Sequence, residues 1–249
     1  MRFETLDLTN KTVLEVGSGR GETTRKLAWQ MVGKGGRLIV TDISDGHFEG
    51  LRSELAPLDL RVDFIRTSGL KLAGIRLTSI DLVVCNYTLC AINAIVGQGE
   101  LALRKFYEVL KPGGSLYLEE ELPQYMAANP AQNMWAEKWQ LIKAAQIISG
   151  ARPFNEYQPD VLEDLTAACG FEEIEVSDAI SILPVSEWMD FFRSRFDNLL
   201  KDIGNETMVS ALKDAADQFS IKAQQVGYME APYHSNCQKA LANRVTRIE

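Results

Sequence analysis

Thr12-Val13-Leu14-Glu15-Val16-Gly17-Ser18-Gly19-Arg20-Gly21-Glu22-Thr23-Thr24 is the stretch from which the rest of the chain can be read. Val13, Leu14 and Val16 predict a buried strand ending near Glu15. Gly17, Gly19 and Gly21 then allow a sharp turn and a close approach of backbone to a ligand. From Thr23 the apolar residues fall at helical spacing, with Leu27 and Met31 on one row and Ala28 and Val32 beside them. A strand, a glycine turn and a helix start form a cradle for a polar or anionic group, because N–H groups at a helix N-terminus point out of it.

The glycine spacing bears on which ligand fits. A dinucleotide fingerprint reads G-x-G-x-x-G. Here the third glycine arrives one residue early, at Gly21, and Glu22 stands in the fingerprint position. A second apolar strand, Arg37 to Thr41, ends in Asp42, 21 positions past Gly21. That is where a ribose-binding carboxylate stands in a nucleotide-binding fold. Ile80 to Tyr87 reads as another buried strand, and Phe106 to Glu119 as helix, Lys-Pro-Gly-Gly turn and strand.

Four pieces, in this order, resemble the class I S-adenosylmethionine-dependent methyltransferases. They are Glu15 to Gly21, Thr41-Asp42-Ile43-Ser44, Asp81 to Asn86, and Val109-Leu110-Lys111-Pro112-Gly113-Gly114. The resemblance is close over residues 11–121 and weaker over 159–183. It implies an α/β, doubly wound Rossmann-like sheet, mostly parallel with an antiparallel last strand, and inserted helices forming a lid. It also implies S-adenosylmethionine as cofactor. Glu15, Gly17, Ser18, Gly19 and Arg20 would hold its methionine end, with loop N–H groups on the carboxylate. Arg20 reads equally as a solvated turn residue. Asp42 would take the ribose hydroxyls and Ile43 would flank the adenine. Ser68, followed by Gly69, stands where the family often has an acid for the adenine amino group. Asn86, with Tyr87 after it, would contact the amino-acid end. Asn86-Tyr87-Thr88 lacks the two prolines of the Asn-Pro-Pro-Tyr motif of amide and nucleobase N-methyltransferases.

The 249 residues suit a single domain with insertions, and 46% hydrophobic with 24% charged residues is a globular balance. A net charge of −8 argues against a nucleic-acid backbone as the main substrate. Cys85, Cys90, Cys169 and Cys237 show no C-x-x-C spacing and read as buried thiols. The N-terminal residues carry no apolar signal region, and no run reaches membrane-span length, so a cytoplasmic chain without a membrane span is expected.

Two helical insertions are predicted, at about 123–158 and 184–235, within a core of about 11–121, 159–183 and a last strand at 236–246. Asp45 to Leu55 reads as a short helix. Asp160 and Glu163 have capping-box spacing before the helix at 159–169. Ser186 is expected to cap one inserted helix and Asn205 to open the next.

Methyl transfer from a sulfonium needs chiefly alignment and dryness, and a base only if the nucleophile keeps its proton. Trp135, Trp139, Tyr157, Trp188 and Phe192 are candidates to wall an acceptor site, although stripes at helical spacing are also what a plain core looks like. Glu119, Glu120 and Glu121 end a strand at the ligand edge; Glu120 is the candidate to orient the acceptor, against a solvated acidic run. His234 is preferred over His47 as a base. No cluster has metal-ligand spacing, so no metal is expected. The leading expectation is methyl transfer to a small-molecule acceptor. A protein or peptide methyltransferase, and a silent cofactor-binding partner subunit whose Trp/Phe-rich insertions form a homodimer face, are the alternatives. An NAD-dependent dehydrogenase is a distant third.

Overall fold

Two apolar layers grow out of a period-two alternation that the central strands share. The computed structural model describes residues 5–122 and 127–240, the latter without the side chains of 234 and 236–240. In chain order the elements are β1 (Thr12–Val16), α1 (Glu22–Met31), β2 (Arg37–Asp42), α2 (Phe48–Leu55), β3 (Arg61–Arg66), β4 (Ile80–Asn86), α3 (Leu89–Ile92), α4 (Gln98–Val109), β5 (Leu110–Glu121), α5 (Pro130–Ile148), α6 (Pro159–Ala168), β6 (Phe171–Pro184), α7 (Val185–Leu200), α8 (Glu206–Val226) and β7 (Tyr228–Ala240).

The sheet order is β3-β2-β1-β4-β5-β7-β6. β1 pairs in parallel with β2 and β4, β2 with β3, and β4 with β5. The other end is antiparallel, so the sheet is mixed and mostly parallel. The strand order reverses at β1 and β4, and open α/β sheets bind ligands at the carboxyl ends of the strands on either side of such a point.

The chain divides into two compact units. The first holds the residues up to Glu120, then Tyr157–Ser177 and the chain from His234. Its inner strands are apolar on both faces, as a parallel sheet covered by helices requires. Leu14, Ile39, Val83, Cys85, Leu116 and Leu118 face a layer with Leu103 and Phe106 of α4. Val13, Leu38, Val40, Leu82, Val84 and Tyr117 face the opposite layer, with Leu27, Ala28 and Met31 of α1.

The second unit is Glu121–Glu156 with Asp178–Tyr233, and it contains α5, α7 and α8. Its core is aromatic. The Phe192 ring lies 4.9 Å from Phe219 and 5.5 Å from Phe196, and Trp188 lies 5.7 Å from Phe219.

Several boundaries differ from the sequence expectation. The last strand begins at Tyr228, not near 236, because Met229 and Ala231 are buried and already strand-paired; the expected stretch past 240 lies outside the described residues. Ser186 does not cap α7: Pro184, in extended conformation, precedes the first turn, and Ser186 falls inside it. Asp160 and Glu163 form no capping box, since α6 already starts at Pro159 and the Asp160 carboxylate accepts from the N–H of Val161 at 2.9 Å. Helix α2 starts at Phe48, three residues after Asp45. Asn205 does cap α8, accepting from the Met208 N–H at 3.1 Å.

Candidate functional site

The turn after β1 requires its glycines for different reasons. Gly17 has φ +80°, and a Cβ there would lie 2.2 Å from the Thr88 hydroxyl oxygen. Gly21 has φ +88°, and a Cβ there would meet the Leu51 side chain at 2.2 Å. Gly19 has φ +51° with nothing within 4 Å of the Cβ position, so only its backbone conformation demands glycine. The turn is knitted to β2: the N–H groups of Gly17 and Ser18 donate to the Thr41 carbonyl at 2.9 and 3.1 Å. The Gly21 N–H donates to the Ser18 carbonyl, and the Gly19 N–H to Asp42 Oδ2 at 2.9 Å. These N–H groups thus hold the turn itself. Arg20 is exposed at its tip, with its carbonyl accepting from Arg25 Nη1.

Behind the turn, the first turn of α1 braces two strand ends. Thr24 Oγ1 donates to Glu15 Oε2 at 2.7 Å, and Asn86 Nδ2 donates to Thr23 Oγ1 at 3.3 Å. Glu15 is 1% and Asn86 9% exposed, on neighbouring strands. Among the described residues, three buried oxygens here have no hydrogen-bond partner: Glu15 Oε1, Ser18 Oγ and Asn86 Oδ1. Native interiors leave few such atoms, and a cluster of them calls for a donor-rich partner. Burial pushes the Glu15 carboxyl up to about 7, with the Thr24 hydrogen bond opposing and the negative charge of Asp42 reinforcing.

At the end of β2, Asp42 Oδ1 accepts from the Ser44 N–H at 2.9 Å, so each oxygen of its carboxylate already holds one backbone donor. A carboxylate offers about four acceptor positions, which leaves room for a pair of hydroxyls. Ile43 follows with its side chain 73% exposed, a large apolar surface next to that carboxylate. Ser68 follows β3 and caps a turn through its carbonyl, which accepts from the Lys71 and Leu72 N–H groups. Gly69 is packed so closely that a Cβ would lie 2.6 Å from Ile92 and 3.2 Å from Val16.

The acidic run at the end of β5 is not a solvated stripe. Glu120 is buried, and its carboxylate accepts from the N–H groups of Thr88, Leu89 and Cys90 at 3.0, 2.7 and 3.2 Å. It therefore caps the start of α3, and the expectation that it orients an acceptor gives way to this structural role. Burial pushes it up to about 7 against those hydrogen bonds. Glu119 points to the other face of the sheet, where the Tyr117 hydroxyl donates to it at 2.9 Å and the Tyr87 hydroxyl donates to its other oxygen. Tyr87 reaches it from a left-handed backbone, φ +49°. Such strain in a non-glycine residue, of order 1–2 kcal/mol, concentrates at functional edges.

Four of the five expected acceptor-wall residues, Trp135, Trp139, Trp188 and Phe192, belong to or pack on the core of the second unit. Trp188 and Phe192 are core of the second unit, with Trp188 Nε1 donating to the Leu183 carbonyl. Their helical spacing reported burial, not a pocket wall. Tyr157 belongs to the first unit, where its hydroxyl group packs on Gly99 of α4. Trp135 and Trp139 pack edge to face on α5, 5.7 Å apart. His234 lies in β7 and its side chain falls outside the described residues. His47 is exposed at the start of α2 and makes no capping hydrogen bond.

Sequence reasoning missed the threonines. Thr23, Thr24 and Thr88 position Asn86, Glu15 and the glycine turn, yet nothing in their spacing marks them. Among the described residues no group of three His, Cys, Asp or Glu side chains is placed to hold a metal, and no helix is long and apolar enough to cross a membrane.

Residues 13–114 match the family described as Methyltransferase domain. The chain is 31% identical over 112 residues to the ubiquinone/menaquinone biosynthesis C-methyltransferase of Enterobacter sp. (strain 638), a match covering 44% of this chain and 42% of that protein. It thus spans less than half the length of the curated relatives it matches. Among solved structures, a methyltransferase candidate from Bacillus halodurans C-125 superposes over 96% of both chains with a TM-score of 0.63 at 13% identity. Phosphoethanolamine N-methyltransferase 2 of Haemonchus contortus, solved with phosphomonomethylethanolamine and S-adenosylhomocysteine, covers 95% of this chain and 50% of its own, with a TM-score of 0.57 at 14% identity. At such identities the superpositions establish the fold.

Proposed function

We propose that this chain is a class I S-adenosylmethionine-dependent methyltransferase and that it methylates a small organic acceptor by in-line displacement. The observation that carries the reading is the cluster of unpartnered buried oxygens, Glu15 Oε1, Ser18 Oγ and Asn86 Oδ1, beside an Asp42 carboxylate with acceptor capacity to spare. Acceptors without donors fit an ammonium group, which is what the amino-acid end of S-adenosylmethionine presents. Asp42 fits a ribose diol, and the exposed Ile43 side chain fits the face of an adenine.

S-adenosylmethionine bound there supplies a methyl group already activated on a sulfonium. The protein's share is then placement. Glu15, Ser18 and Asn86 would fix one end of the cofactor and Asp42 the other, and the α1 threonines keep Glu15 and Asn86 from rotating away. Orientation of this kind supplies up to about 7–11 kcal/mol of a barrier. Of the three acids ending β5, Glu120 is committed to α3 and Glu119 to two tyrosines. Neither is a free base, which favours acceptors whose nucleophilic atom holds a free lone pair at neutral pH, such as an aryl amine or a thioether.

The test is a transfer assay with methyl-labelled S-adenosylmethionine, run on a small-metabolite extract and on a peptide library. Label entering small molecules supports the reading. Label entering peptides alone would replace it with a protein methyltransferase, and cofactor binding with no transfer to either would leave a silent module.

A further inference from the structure

Glu15 ends its strand as a buried carboxyl with little around it to hold a negative charge. It is 1% exposed, and while Oε2 accepts from Thr24 Oγ1 at 2.7 Å, Oε1 has no hydrogen-bond partner among the described residues. Asn86 Oδ1, on the neighbouring strand, is likewise a buried acceptor without a donor. A carboxylate taken out of water without a counter-ion is costly, and such a group keeps its proton instead.

Among the described residues, the elements packed around Glu15 bring it no cation. From α1 come the hydroxyls of Thr23 and Thr24, and from β2 come Thr41, which donates to the Glu15 carbonyl, and Asp42. Asp42 is the charged group that acts on the carboxyl, and its charge is negative. From β4 come Asn86 and Cys85. Burial, reinforced by the Glu120 and Glu15 carboxylates, holds the Cys85 thiol well above its usual range, so it stays neutral. Arg20 is exposed at the tip of the turn. Burial, opposed by the Thr24 hydrogen bond and reinforced by Asp42, accordingly holds Glu15 up at about 7.

We propose that cofactor binding at this site is coupled to the release of a proton from Glu15, so that the chain holds S-adenosylmethionine more weakly as pH falls below neutrality. The proposal rests on the reading that Glu15, Ser18 and Asn86 take the ammonium end of that cofactor. An ammonium carries three donors and the opposite charge, and both favour the ionised carboxyl. The proton that Glu15 keeps in the empty site therefore passes to solvent when the ammonium arrives. Asp42, half-buried and already holding two backbone N–H groups, meets the cofactor without such a change.

Calorimetry of the full chain with S-adenosylmethionine, in two buffers of different ionisation enthalpy, counts the protons exchanged. At about pH 6 the cofactor's own α-amino group stays charged and contributes none. Roughly nine-tenths of a proton should leave per cofactor bound at that pH, and about a quarter at pH 7.5. Affinity should fall roughly 25-fold between about pH 7.5 and 5.5. In Glu15→Gln, which keeps the shape and loses the titration, the proton count at about pH 6 should drop to near zero and affinity should be flat over the same range. Tight binding by the parent with no proton released would overturn the proposal and leave the cofactor reading standing. Release that persists in Glu15→Gln would assign the proton to another group and overturn it as well. Absence of binding at every pH would overturn the cofactor reading itself and the proposal with it. The parent's proton count needs no variant, so a poorly folding Glu15→Gln does not shield the proposal.

Discussion

The Gly19 N–H donates to Asp42 Oδ2 at 2.9 Å, which fastens the glycine turn after β1 to the acid that ends β2. One carboxylate thus shapes the loop and faces the proposed ribose position. Loop order and cofactor affinity are coupled through it.

Asp42→Ala should weaken S-adenosylmethionine binding about 10- to 100-fold, the loss expected of a charge-assisted pair of hydrogen bonds. Asp42→Asn keeps one acceptor and should lose less. Global unfolding should change little, because Asp42 is only half-buried. Unchanged affinity in the alanine variant would remove Asp42 from the site.

Gly17→Ala and Gly19→Ala should separate sharply. At Gly17 the new methyl meets Thr88 at 2.2 Å in a left-handed backbone, whereas at Gly19 it meets nothing. Gly19→Ala should cost about 1 kcal/mol from backbone strain alone, and Gly17→Ala several times more. Thermal melts of the two variants check this, and equal destabilisation would contradict the packing at Thr88.

Glu15 makes stability depend on pH in an unusual direction. Its folded pKa of about 7 lies above its ordinary 4.5, so between those values the folded protein binds more protons than the unfolded one. Stability should therefore fall as pH rises from 4.5 through 7 and level off above, and Glu120, also raised to about 7, adds the same sign. Glu15→Gln should flatten the slope and raise the melting temperature more at pH 8 than at pH 5, reflecting a stability gain of a few kcal/mol at most. A parent profile that rises across this window would contradict the burial of both carboxyls as the controlling feature.

Glu120→Gln should destabilise the fold by about 1–3 kcal/mol, because an amide NH₂ would replace an acceptor facing backbone N–H groups. Turnover per folded molecule should stay within a few-fold of the parent. A stable variant with abolished turnover would restore Glu120 to the chemistry.

The site's frame was legible because its signals are local. Val13 to Val16 declares a buried strand, three glycines in five residues declare the turn, and Asp42 falls at a spacing set by one β-α-β unit. Glu120 was not legible, since its partners are amides about thirty residues away at the start of α3, a helix of four residues too short to show a period. Trp188 and Phe192 misled because a helix buried in a core and a helix lining a pocket share the same stripe. The early start of β7 at Tyr228 was hidden by Glu230 and Pro232, which interrupt the apolar alternation of Tyr228 to Tyr233.

The most direct measurement is a calorimetric titration of the parent chain with S-adenosylmethionine and, separately, with NAD. Saturable one-to-one binding of S-adenosylmethionine, lost or greatly weakened in Asp42→Ala, with no heat from NAD, is the expected result. NAD binding in place of S-adenosylmethionine would contradict the assignment of the glycine turn and its carboxylate to a sulfonium nucleoside.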